Sequence, residues 1–144
     1  MCTLSNSKSR LKTGYKVLAI KDGKYYSTFT GQEIKIGTVE RAPKECVRLN
    51  AYWNSDLENI GIKKCVFYNS KFNGKTGAFT SLADCYYLYS EMIDKANRPD
   101  YKLIIVKVVF DGIVINGNYQ TTPIIAGNKI KSIIKVRRTI EIED

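Results

Sequence analysis

The chain of 144 residues contains no histidine. That absence removes the usual general base and excludes catalytic schemes built on Ser-His or Cys-His pairs. It also takes away a common metal ligand. The cysteines, Cys2, Cys46, Cys65 and Cys85, show no Cys-x-x-Cys spacing, so neither a metal site nor a cofactor is expected. Long apolar runs are missing as well: the longest, residues 103–110, is interrupted by Lys107 and falls short of the roughly 20 residues a membrane helix needs. No membrane partner is expected. Residues 1–13 lack the apolar segment of a secretory signal and there is no Asn-x-Ser/Thr sequon, so the expectation is a cytoplasmic protein with reduced thiols.

Acidic residues are scarce beside basic ones, 14 against 23, and the net charge of +9 favours an anionic partner. The competing reading of so many lysines is plain solubility. The length suits a single domain with its own core. Residues 1–13 place Lys8, Arg10 and Lys12 among Ser, Asn and Thr and read as a mobile basic arm, residues 14–139 as one α+β domain, and residues 140–144 as an acidic tail.

Within that domain, residues 15–21 and 24–29 are rich in β-formers, and Asp22-Gly23 between them predicts a two-residue hairpin turn. Residues 32–41 predict a third strand broken or bulged at Gly37, and residues 62–68 a further one. Residues 45–61 are the least legible, with Tyr52-Trp53 as an anchor to the core. Ser81 followed by Asp84 resembles a capping box, and Leu82, Cys85, Tyr86, Tyr89, Met92, Ile93 and Ala96 recur at helical spacing, so one helix is expected over 81–96. The apolar stretch 101–110 predicts the centre of the sheet, turned by Asp111-Gly112 into residues 113–116. Asn116-Gly117 and Gly127-Asn128 punctuate the C-terminal third of the chain, and residues 129–138 predict a last long strand. The fold class is therefore α+β: a curved, mainly antiparallel sheet of six to eight strands with one principal helix, a partly open barrel being the closed variant.

Alternation on the last strand sets Lys129, Lys131, Lys135 and Arg137 on one face, at a spacing commensurate with consecutive phosphates; the competing reading is a solvated sheet face. Tyr25, Tyr26, Tyr86, Tyr87 and Tyr89 offer stacking platforms or ordinary half-buried rings. The loop 71–77 lacks Walker spacing, yet Lys71 and Lys75 with its backbone N–H groups suit an anion near the start of the helix. Cys2 gives a catalytic alternative: with Met1 removed, its thiol stands beside an α-amine able to act as base.

Met1-Cys2-Thr3 resembles the opening of N-terminal-nucleophile hydrolases, among them the bile-salt-hydrolase-like amidases, which implies a hydrolase or amidase acting through Cys2. A wider resemblance rests on Met1-Cys2, Tyr15-Lys16-Val17-Leu18, the Asp22-Gly23 turn, Phe79-Thr80-Ser81-Leu82-Ala83-Asp84-Cys85 and Val106-Lys107-Val108-Val109. Together these look like a loose group of short bacterial and phage proteins that begin Met-Cys and carry a YKVL strand and a GFHxFxSLEDA-like segment, whose histidine is missing here. It implies a phage or mobile-element accessory protein, a class that includes counter-defence factors. The leading expectation is a non-enzymatic binding module for an anionic partner, be it nucleic acid, a nucleotide signal or an acidic protein surface. The alternatives are the Cys2 hydrolase and a protein-interaction or structural factor using Trp53 and exposed tyrosines.

Overall fold

The computed structural model describes residues 2–28, 32–37, 45–47, 62–64, 74–94 and 102–136. The first hairpin forms as its turn residues dictate. β2 (Thr13–Lys21) and β3 (Lys24–Ser27) pair antiparallel, with φ of 52° at Asp22 and 76° at Gly23, the positive angles that a type I′ turn demands. β4 (Glu33–Ile34) adds to β3.

The helix α1 (Leu82–Asp94) starts where expected. The Ser81 hydroxyl accepts the Asp84 backbone N–H at 3.2 Å and donates to the Asp84 carboxylate at 2.9 Å. Cys85, Leu88 and Met92, at helical spacing, are buried against Val17 and Ala19 of β2 and against Leu103 and Ile105. Ile93, expected on that buried stripe, is 46% exposed, since it sits about 100° around the helix from the fully buried Met92. Ala96 and the expected last turn lie outside the described residues.

Three expectations are corrected. Asp111-Gly112 does not turn the chain: β8 (Lys102–Tyr119) runs through it, and Gly112, at φ 84°, sits in an irregularity where Asp111 pairs with Lys129 but Val114 with Gly127. A glycine with positive φ serves a bulge as readily as a hairpin, so the dipeptide signals both. The reversal comes at Gln120, φ 55°, leading into β9 (Thr122–Lys135), and Asn116-Gly117 and Gly127-Asn128 fall inside these long strands. The expected arm is a strand: β1 (Cys2–Lys8) pairs with β8, Cys2 opposite Tyr119. Close approach makes this possible, since a Cβ on Gly117 would collide with the Thr3 carbonyl oxygen.

Among the described residues the main sheet has seven strands, in the order β1, β8, β9, β7 (Thr76–Phe79), β2, β3, β4, with an added β8–β2 pairing; every one of these pairings is antiparallel. β5 (Glu45–Val47) and β6 (Ile62–Lys64) form a separate two-stranded ladder. The helix covers one core cluster, and a second, built on Leu18, Val106, Val108, Phe110, Ile125 and Ile130, fills the other face of the sheet. Among the described residues no helix is long and apolar enough to cross a membrane.

A Gly117→Ala substitution separates a docked strand from an arm. Docked, it loses about 1–3 kcal/mol in urea unfolding through overpacking and gains amide exchange along Cys2–Lys8. A loose N-terminus predicts no loss, or a gain of about 0.4–1 kcal/mol from the stiffer unfolded chain.

Candidate functional site

β8 is hydrogen-bonded on both edges, and its irregularity at residues 111–114 organises the surface around it. Along one edge, β2 pairs with residues 102–109 and β1 with residues 115–119. The chain between β1 and β2 therefore crosses the bend. The Ser9 N–H donates to the Val114 carbonyl at 2.7 Å and the Phe110 N–H to the Lys12 carbonyl at 2.7 Å, which brackets Arg10, Leu11 and Lys12 against residues 111–113. The Lys12 ammonium donates to the Gly112 carbonyl.

On the other edge lies β9, with a bulge of its own. Ile130 pairs with Phe110 and Ser132 with Val109, leaving Lys131 as an extra residue. Beyond β9, Thr76 pairs with Gly127, which sets Lys75 beside the Gly127-Asn128 backbone, and the Gly37 N–H donates to the Ile130 carbonyl at 2.9 Å, which brings up Lys35 and Ile36.

Side by side across the bend thus stand Arg10-Leu11-Lys12, Asp111-Gly112-Ile113, Asn128-Lys129-Ile130-Lys131 and Lys35-Ile36-Gly37. At normal strand spacing these segments span about 14 Å. Arg10, Lys12, Lys35, Lys129 and Lys131 are all exposed and Lys75 is half-buried, whereas Asp111 is the carboxylate of the group among the described residues. Three large apolar residues are exposed among them: Leu11 at 52%, Ile36 at 56% and Ile113 at 60%.

The residues expected to bind anions are therefore only partly assembled. Lys75, Lys129 and Lys131 lie on adjoining strands at the bend. Lys135 does not share the face of Lys129: it pairs with Val106 on the Phe110 side of the sheet, the side to which the unbroken register of residues 132–135 also assigns Lys131, while Lys129 pairs with Asp111 on the opposite side. The extra residue Lys131 inverts the alternation between them, so the continuous basic face expected from strand periodicity is broken. Lys71 and Arg137 lie outside the described residues, as does Trp53. Sequence reasoning overlooked Lys35, Leu11, Ile36 and Ile113, and assigned Arg10 and Lys12 to an arm. The signal for Arg10, Leu11, Lys12 and Ile113 was Gly112, once read as a bulge, whereas Lys35 and Ile36 are brought up by the Gly37 to Ile130 hydrogen bond, which no local pattern announces.

The tyrosines gather elsewhere. Tyr25 and Tyr26 pack on opposite core clusters, Tyr86 and Tyr89 are half-buried with ring centroids 6.1 Å apart, and Tyr87 is exposed on the helix, where its hydroxyl bonds to Glu91 and the Glu91 charge raises its pKa further. None belongs to the bend. Cys2 opens β1 opposite Tyr119, and the side chains of Cys46 and Cys65 lie outside the described residues. Cys85 is wholly buried, and desolvation pushes its thiol from 9.0 up to about 12, opposed in part by the Lys16 charge. A thiol so placed stays protonated near neutrality and is no nucleophile. Among the described residues no cluster of His, Cys, Asp and Glu suits a metal ion.

Because the folded pKa of Cys85 is raised, the thiol's contribution to stability is full below about pH 9 and lost as pH climbs toward about 12. The stability advantage of the wild type over Cys85→Ala should shrink by about 2–3 kcal/mol between about pH 8 and about pH 11, read as urea midpoints, while titration of other groups cancels between the two proteins.

Compared with known protein families, with curated proteins and with solved structures, the chain matches none, so the geometry of the bend carries the functional argument.

Proposed function

We propose that the chain is a non-enzymatic binding module for an anionic partner, engaged through the bend of β8 and β9. The observation that carries this reading is that Arg10, Lys12, Lys35, Lys129 and Lys131, all exposed, lie on backbone segments that neighbour one another around residues 111–113, where Asp111 is the carboxylate among the described residues. Cations that converge build a potential able to attract an anion, which the same charges scattered over a surface do not. The lack of histidine supports a binding rather than a catalytic role.

The cycle of pairings β8–β9, β9–β7, β7–β2 and β2–β8, closed at its β7–β2 seam by the single pair Tyr15 and Phe79, supports reading the sheet as a partly open barrel. A cytoplasmic setting, among phage or mobile-element accessory proteins, has its support in the sequence likenesses.

A salt series tests the central claim. Binding of duplex DNA, single-stranded DNA, nucleotides and acidic peptides is measured by anisotropy as sodium chloride is raised. At least one probe should bind with affinity falling steeply with salt, and Lys129→Glu with Lys131→Glu should weaken it by about tenfold or more, whereas Lys135→Glu should change it by about twofold at most. Flat or absent binding to every probe, or equal effects of the substitutions on and off the bend, sinks the proposal.

A further inference from the structure

The apolar residues at the bend narrow the class of partner, on the premise that the bend is the binding site. From Leu11, Ile36 and Ile113 we infer that it docks an acidic protein face carrying apolar side chains of its own, rather than a nucleic acid. Each of these three is more than half exposed, and they lie on the neighbouring segments of the bend, Leu11 between Arg10 and Lys12, Ile36 beside Lys35, and Ile113 on the strand next to that of Lys129. A phosphate backbone offers such side chains nothing to be buried against. Single-stranded bases stack on aromatic rings, and none of the described bend residues is aromatic. Protein interfaces have the matching anatomy, with apolar residues that exclude water inside a charged or polar rim. Charge complementarity makes the partner acidic, since Asp111 is the carboxylate that the described bend residues contribute themselves. The span of about 14 Å accommodates one α-helix, whose diameter with side chains is about 10–12 Å. An acidic amphipathic helix is the simplest occupant.

The test uses the full chain and three labelled probes: a helical peptide with Glu on one face and Leu on the other, the same peptide with every Leu replaced by Ser, and a DNA duplex. The amphipathic peptide should bind about tenfold or more tightly than its serine counterpart, and the preference should survive added salt, which screens charge and leaves apolar burial intact. Leu11→Ser with Ile113→Ser should abolish that preference and leave the weaker, salt-sensitive attraction to the serine peptide. These positions are exposed, and the comparison of peptides on the wild-type chain needs no variant at all. Equal affinity for the two peptides overturns the inference, as does duplex DNA binding more tightly than both with no effect of the serine substitutions. Either result leaves anion binding standing. Failure of every probe to bind removes both readings together.

Discussion

Backbone hydrogen bonding along both edges of β8 is the constraint on which the rest of the structure depends. An apolar strand of this length has many amide groups to satisfy out of water, and it meets that demand with β9 on one side and with β1 and β2 in succession on the other. A strand paired so fully cannot stay flat and regular. It twists, and the mismatch is taken up where Gly112 accepts a conformation closed to most residues. The irregularity of β8 is thus set by its pairing, and it offsets the in-and-out alternation of side chains on either side of residues 111–114.

The parts of this fold that were legible in the sequence are those set by local chemistry. Asp22-Gly23 needs only its own two φ angles, and Ser81 with Asp84 needs only the next turn of helix, so both could be read without knowing what packs nearby. Gly112 needs more. Whether it reverses the chain or kinks it depends on whether the strand beyond finds partners on both edges, and those partners lie at opposite ends of the sequence. The polar run of β1 was misread for a similar reason: Ser5, Ser7 and Asn116 satisfy one another across the β1–β8 ladder, a stabilisation invisible in composition.

The candidate site was half legible on the same grounds. Net charge and the lysines of β9 were plain from the sequence, but their grouping depended on one unpaired residue. Strand periodicity presumes an unbroken register, and Lys131 breaks it, parting Lys129 from Lys135 and joining Lys129 to segments far away in the chain. Apolar residues such as Leu11 and Ile113 look like core in a sequence. Only their being more than half exposed beside the irregularity of β8 makes them informative.

The pairing of Cys2 with Tyr119 also has a consequence for how the protein is made. During synthesis the first strand leaves the ribosome long before its partner exists, and at about 5–20 residues per second it waits on the order of ten seconds for β8 to emerge. Throughout that interval its ladder groups are bonded to water. A segment written in Ser, Thr, Asn and Lys tolerates the delay, where a run of valine and isoleucine would seek out a neighbouring chain. The hydrophilic character of the N-terminal strand thereby guards the newborn polypeptide against association until the far end of the sheet arrives to close it.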